Sequence, residues 1–331
     1  MLQRLMNSVL YAALLLTASA VIVGAYGQTE QPQYPTKTVK LVVTYPPGGT
    51  SDLVARPLAQ ALSARLKQSF IVENRAGAGG QIGTDYVAKA AADGYTLLVA
   101  ASGPISYLPA LSSSLPYDVR KDFAPVANIV TVPNLMIVSA SSPIKSLQDL
   151  AAVAKANPGK VYFGSAGVGS SGHISGELFN LLAGVKMVHI PYRGSGPAMV
   201  DLIAGQTTVM FENLPSALTQ VRGGKLRGIA VLSRRRSPSA PDFPSTTELG
   251  MPDLEIASST GILAPAGTPG EVIGLLEKTL RDIANDADMA KTFRSYGADV
   301  DFMDAAQYRS YMEREIQRWT MVGQKANIKV K

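Results

Sequence analysis

TVKLVVTYPPGGTSD, residues Thr38–Asp52, sets a pattern that the rest of the chain repeats. Val39 to Thr44 is apolar and β-branched and reads as a buried strand. Pro46, Pro47, Gly48 and Gly49 form a turn. Thr50 and Ser51 are helix N-cap types, and Asp52 is an acid in a first helical turn. Leu53 to Leu66 then has helical spacing. Strand, tight turn and helix leave backbone N–H groups at the helix start. Those groups and the helix dipole favour an anion, and Gly48 and Gly49 let a ligand approach the backbone.

The same unit recurs downstream. Phe70–Glu73 reads as a strand and runs through a glycine-rich loop into a helix over Ile82–Ala91. The loop is no dinucleotide fingerprint, because G-x-G-x-x-G starting at Gly77 would need glycine where Ile82 stands. Tyr95–Ala101 is a third strand, and Ser102-Gly103-Pro104 at its end is a candidate pocket loop. Pro116–Asp122 reads as polar and irregular. Ala124–Val130 and Leu135–Ser139 read as two strands split by Pro133-Asn134. Ser146-Leu147-Gln148-Asp149 has the capping-box pattern and opens a helix to Ala156. Val161–Gly164, Met187–Ile190, Val209–Phe211 and Leu226–Leu232 read as further strands. The turns after the first three are Ser165–Gly172, Pro191–Gly196 and Glu212–Leu214, leading to helices at His173–Ala183, Pro197–Ala204 and Pro215–Arg222. Ile256–Leu263 is a late strand. Helices then cover about Gly270–Ala284, Ala287–Tyr296 and Asp304–Lys325, with a small strand near Ala298–Phe302. Alternation of this kind indicates an α/β protein with mostly parallel sheets, whose ligands bind beyond the carboxyl ends of strands. The strand ends fall in two groups, before Val130 and after Leu135, which suggests two sheets with a cleft between them.

The chain has 331 residues, enough for two domains, and a formal charge of +6. Its densest basic run, Arg234-Arg235-Arg236, precedes a Ser/Pro loop. It lacks the aromatic interleaving of a nucleic-acid surface, so no nucleic-acid partner is expected. Arg4 and the uncharged, Leu/Ala/Val-rich run from Met6 to Thr29 read as a signal peptide, residues 1–27. Ala18-Ser19-Ala20 or Ala25-Tyr26-Gly27 would be the cleavage site. The mature protein is therefore expected to be exported. The absence of cysteine excludes disulfides, thiol nucleophiles and a lipidated cysteine. His173 and His189 are the only histidines, too few for a multi-histidine metal site. No cofactor is expected. Ser170, Ser171 and His173 invite a nucleophile–base reading, but no G-x-S-x-G elbow surrounds either serine. They read instead as hydroxyl donors, helix caps and a helix-start histidine. Arg193 is the best cation near a turn for a carboxylate.

YPTKTVKLVVTYPPGGTSD, VENRAGAGGQIG, DGYTLL, LPYDVRKDFAPV, GSAGVGSSGH, HIPYRGSGPAM, FENLPSA, GKLRGIAV and GILAPAGTP occur in this order between Tyr34 and about Lys325. Together they resemble the substrate-binding proteins of tripartite tricarboxylate transporters, the Bug or TctC family. The resemblance implies a type II periplasmic binding protein, non-enzymatic, with two α/β lobes closing on a ligand in the cleft between them. Residues 34–131 and 254–331 would build the first lobe and residues 132–253 the second. The implied ligand is a small carboxylate, and the implied partners are membrane transporter subunits, met transiently by a monomer. A sensor subunit serving a signalling receptor is an alternative, and a secreted hydrolase using Ser171 and His173 is another. Carried over by motif, the ligand-binding residues would be Pro47, Gly48, Gly49, Thr50 and Asp52; Ser102; Ser165, Gly167, Ser170, Ser171 and His173; Arg193, Gly194, Ser195 and Ala198; and Glu212. The sequence departs from the family's common residues at Tyr45, Val168, Gly172 and Glu212. At Glu212, in place of a common aspartate, the extra methylene pushes the carboxylate further into the cleft.

Overall fold

The computed structural model describes residues 34–326 together with 328 and 330. The signal-peptide reading falls outside these residues. Strand β1 (Val39–Val43) is followed by helix α1 (Thr50–Leu66), β2 (Phe70–Asn74), α2 (Gln81–Ala88) and β3 (Thr96–Ala101). A single π-helical turn, Gly103–Tyr107, leads into the short α3 (Leu108–Leu111). Next come α4 (Val119–Asp122), β4 (Phe123–Ser139), α5 (Leu147–Ala156), β5 (Tyr162–Ser165), α6 (Ser171–Ala183) and β6 (Val188–Pro191). The chain continues with α7 (Ser195–Ile203), β7 (Val209–Asn213), α8 (Leu214–Arg222), β8 (Leu226–Val231) and β9 (Ala257–Pro265). It ends with α9 (Gly270–Ala284), α10 (Ala287–Tyr296), β10 (Asp299–Met303) and α11 (Ala305–Ala326).

Two sheets share one strand. In the first, β1 lies parallel between β2 and β3. β9 runs antiparallel between β3 and β4, and β10 pairs β4 on its other side. In the second, β4 lies between β7 and β8, antiparallel to both, and β5 joins β7 to β6 in parallel. The two α/β lobes are built around these sheets.

The strand expected to break at Pro133-Asn134 is continuous over 17 residues. Pro133 stands where β4 changes partners: it is the last residue opposite β9, and Asn134 is the first opposite β7. A missing N–H is tolerated at such an exchange, so proline marks the crossing without ending the strand. Pro116–Asp122 is also more ordered than expected, because the Asp118 side chain accepts from Arg120 N and caps α4. The capping box forms as expected: Ser146 Oγ accepts from Asp149 N, and the Asp149 carboxylate accepts from Lys145 N.

Beyond the exchange, β4 is buried on both faces. Met136 and Val138 enter a core with Phe163, Phe179, Phe211, Tyr107 and Trp319. Leu135 and Ile137, pointing the other way, pack with Met199, Leu202, Met210 and Leu214. A strand covered on both sides loses the alternation of an edge strand and reads as a solid apolar run. The chain's one tryptophan, Trp319 on α11, meets Tyr107 edge-on at 5.3 Å. Its Nε1 donates to Glu315. No helix among the described residues is long and apolar enough to cross a membrane.

Candidate functional site

The carboxyl ends of β1, β3, β5 and β7 open on a cavity of about 480 Å³ between the sheets. Parallel strands feeding helices place helix amino termini there. The cavity is lined by Tyr45–Ser51, Ser102 and Gly103 from the first lobe. Ser170–Gly172, Ser195, Glu212, Asn213 and Ser216 come from the second, and Ser258–Thr260 from β9.

Three of these helices start without a side-chain cap. Gly49 caps α1, Gly194 caps α7 and Asn213 caps α8, each with no side-chain bond to the first turn. On α1 the first intrahelical bonds run from Asp52 N and Leu53 N to Gly49 O, so the Thr50 and Ser51 amides precede them. Uncapped first-turn amides carry the positive end of the helix dipole. The fourth helix, α6, is capped by Ser170 Oγ, which accepts from His173 N at 3.4 Å.

The expected residues fall into three groups. Pro47, Gly48, Gly49, Thr50, Ser102, Ser170, Ser171, Ser195 and Glu212 line the 480 Å³ cavity. Gly167, Arg193 and Gly194 line an adjoining hollow of about 730 Å³, walled by the 76–79 and 166–168 loops and open to the exposed Arg193 and Ile82. Asp52, Ser165, His173 and Ala198 line neither.

Each of the last four has work behind the wall. Asp52, 3% exposed, accepts from Gly48 N, from Arg56 Nε and Nη2, and from Asn74 Nδ2, and so fixes the Pro-Gly turn. Burial pushes its carboxyl up, but the bonds from Arg56, Gly48 and Asn74 outweigh it and hold the pKa below the ordinary value. Ala198 is fully buried, with its methyl group against Gly164. His173 Nδ1 accepts from Gly169 N at 3.2 Å, and its ring stacks on His189 at 4.0 Å. His189 Nε2 shares a 2.6 Å hydrogen bond with Ser165 Oγ and stacks on Phe163. Burial lowers the pKa of His173 to about 4, and burial with the charge of His173 lowers that of His189 to about 3.

Ser171 Oγ donates to Asn213 Oδ1 at 3.0 Å and not to His173, so the Ser171–His173 pair of the hydrolase alternative is not formed. Among the described residues no three potential metal-ligating side chains gather. Ser102 Oγ accepts from Ser259 N at 2.8 Å and lies 3.1 Å from Ser259 Oγ, tying the end of β3 to β9. Glu212 Oε1 accepts from Ser195 Oγ at 2.9 Å and Ser216 Oγ at 2.5 Å. Burial raises its pKa, against the lowering pull of both hydroxyls and the Asn213 backbone.

Tyr45, noted in the sequence only as a departure from the family, also lines the cavity, as do Asn213, Ser216 and Ser258–Thr260, which were not singled out. Ser216 sits inside FENLPSA, one helical turn after Glu212. Ser258, Ser259 and Thr260 are a polar run opening an otherwise apolar strand, which was the available signal. β9 is antiparallel to β3, so it enters the cavity at its amino end, opposite to the strand-end rule.

The lobes touch across the cavity. Thr50 Oγ1 donates to Ser216 Oγ at 3.3 Å. Gly194, at φ +107°, lies so close to Pro46 that a Cβ there would meet its Cγ at 2.7 Å. At Gly79, φ +64°, a Cβ would collide with the Val168 carbonyl oxygen.

Comparison with known proteins agrees with this architecture. The profile described as "Tripartite tricarboxylate transporter family receptor" (TctC) matches residues 54–328. Protein BugT of Bordetella pertussis is 40% identical over 299 residues, covering 90% of this chain and 92% of BugT. The structure of Rpa4515 from R. palustris with adipate superposes with a TM-score of 0.87 at 36% identity, covering 89% of this chain and 99% of that one. MatC from Rhodopseudomonas palustris with bound malate gives a TM-score of 0.82 at 31% identity, covering 87% and 99%.

Proposed function

The chain belongs to the tripartite tricarboxylate transporter receptor (TctC) family of solute receptors, not enzymes, and from that premise we propose that it captures a small carboxylate in the 480 Å³ cavity. It acts in the periplasm and hands its ligand to membrane transporter subunits. Residues 34–131 with 254–331 form one lobe and residues 132–253 the other, and the ligand bridges them. The observation that carries this reading is the convergence of uncapped helix starts, α1, α7 and α8, on one cavity. The carboxylate is held by oriented amides and hydroxyls rather than by an ion pair. Arg193, outside this cavity, is secondary.

Two variants test the mode of capture, once a thermal-shift screen of organic acids has supplied a ligand. Gly49 has φ −75°, and a Cβ there would stand 3.4 Å from Pro46 O, so valine fits the backbone while covering the amides. Gly49→Val should weaken binding tenfold or more by calorimetry, with an unchanged circular dichroism spectrum. Arg193→Ala should change affinity by less than about 1 kcal/mol, as for an exposed charge. If Arg193→Ala abolishes binding while Gly49→Val binds normally, amide capture is wrong and the site is an ion pair.

A further inference from the structure

Glu212 ends β7 at the cavity with 5% of its surface exposed. No lysine or arginine among the described residues is hydrogen-bonded or ion-paired to its carboxylate, whose partners are hydroxyls and the Asn213 backbone, although Lys225 also lines the cavity. A buried carboxylate without a counter-charge is costly unless something supplies a proton or a cation.

The directions of the hydroxyl protons sharpen this. A serine hydroxyl has one proton and two lone pairs. The proton of Ser195 points at Glu212 and that of Ser216 at Glu212 or the Asn213 carbonyl, so Ser195 Oγ keeps its lone pairs for a ligand and Ser216 Oγ the one that Thr50 does not fill. Thr50 Oγ1 donates into Ser216, which commits a third proton to the same chain. The Ser171 proton points at Asn213 Oδ1. The hydroxyls of this corner therefore face a ligand as acceptors, while the adjacent start of α1 presents donors. A carboxylate fits the α1 amides. Facing an ionised Glu212, a second carboxylate would set anion against anion, whereas a donor on the ligand supplies the missing proton.

We infer that Glu212 is a specificity-determining residue that selects carboxylates carrying a hydrogen-bond donor, an ammonium first and an amide N–H second, over plain dicarboxylates. This rests on the carboxylate reading above and deepens it. The ligand's carboxylate lies on the helix amides, and its N–H group donates to Glu212 and to the lone pairs of Ser195 and Ser216.

Matched sets of small acids test it. Succinate, glutarate and adipate are each titrated by calorimetry at pH 7.5 against the α-amino derivative and the monoamide of the same length. At least one donor-bearing member should bind tenfold or more tighter than its parent dicarboxylate. In Glu212→Gln that advantage should fall below threefold, with the dicarboxylate binding as well as before or better. Parents that match or exceed every donor-bearing derivative overturn the inference and leave the carboxylate reading standing. So does an advantage that survives in Glu212→Gln. A panel in which nothing binds overturns the carboxylate reading and the inference with it. Circular dichroism checks the variant's fold, and if it does not fold the wild-type ranking decides.

Discussion

His173 and His189 sit ring on ring behind the 166–172 loop, where the Gly169 amide and the Ser165 hydroxyl occupy one nitrogen of each. Both are held neutral, with pKa values lowered to about 4 and about 3. In the unfolded chain each would titrate near the ordinary histidine value of about 6.5. Below that pH the unfolded state binds protons that the native state refuses. The stability these rings support is therefore complete above about pH 6.5. It drains as the pH falls toward 4 and then 3, by up to about 1.4 kcal/mol per pH unit for each histidine. Urea unfolding should show lower stability at pH 5 than at pH 7, and His189→Phe, with no ring nitrogen to titrate, should show a smaller drop. Equal drops in both proteins would remove the pair from the account. The sequence places His173 at a helix start, and by resemblance among the ligand-binding residues, but does not show that it touches His189. They stand on different elements, and only the parallel pairing of Phe163 with His189 brings β6 beside the loop. Asp52 shows the same limit. Its place in a first helical turn is legible and its bonds from Arg56 are local to α1, whereas its bond from Asn74 depends on β2 lying next to β1.

At the scale of elements, local pattern served well wherever a segment's own residues decide its state. Gly270–Ala284 and Ala287–Tyr296 form with the expected bounds, since amphipathic spacing and the Asp286 cap are local. β4 is the instructive failure. Proline argues for a break on local grounds, but the continuous ladder on both sides of Pro133 prevails. The turns touching across the cavity could not be read from the sequence at all, although their glycines could. Gly79 is the sharpest case, because a methyl group there collides with the Val168 carbonyl only when the lobes meet. Gly79→Ala should keep the fold and hold the lobes apart, apart from local strain at its positive φ. Small-angle scattering should then give a larger radius of gyration than wild type in saturating ligand, with affinity reduced at least tenfold. A variant as compact and as tight as wild type would show that the turns yield easily.

For the whole molecule, two lobes and a cleft were legible because strand ends bearing small residues fall in two runs along the chain. How the strands interleave was not, since pairing between distant segments leaves no local trace. β9 lies between β3 and β4, with Ile262 opposite Val99 on one side and Ala127 on the other. The second sheet, by contrast, is complete within residues 134–231. This difference sets an order in time. The second sheet needs only pairings within one continuous stretch, while the first must wait for a strand from far along the chain, and closing longer loops slows assembly. Pulse-labelling hydrogen exchange during refolding should find β5, β7 and β8 protected before β3 and β9, and simultaneous protection would show a single cooperative step. Since Ser258–Thr260 arrive with β9, the cavity gains its last wall only at the end, and a newly made chain stays unable to hold its ligand until then.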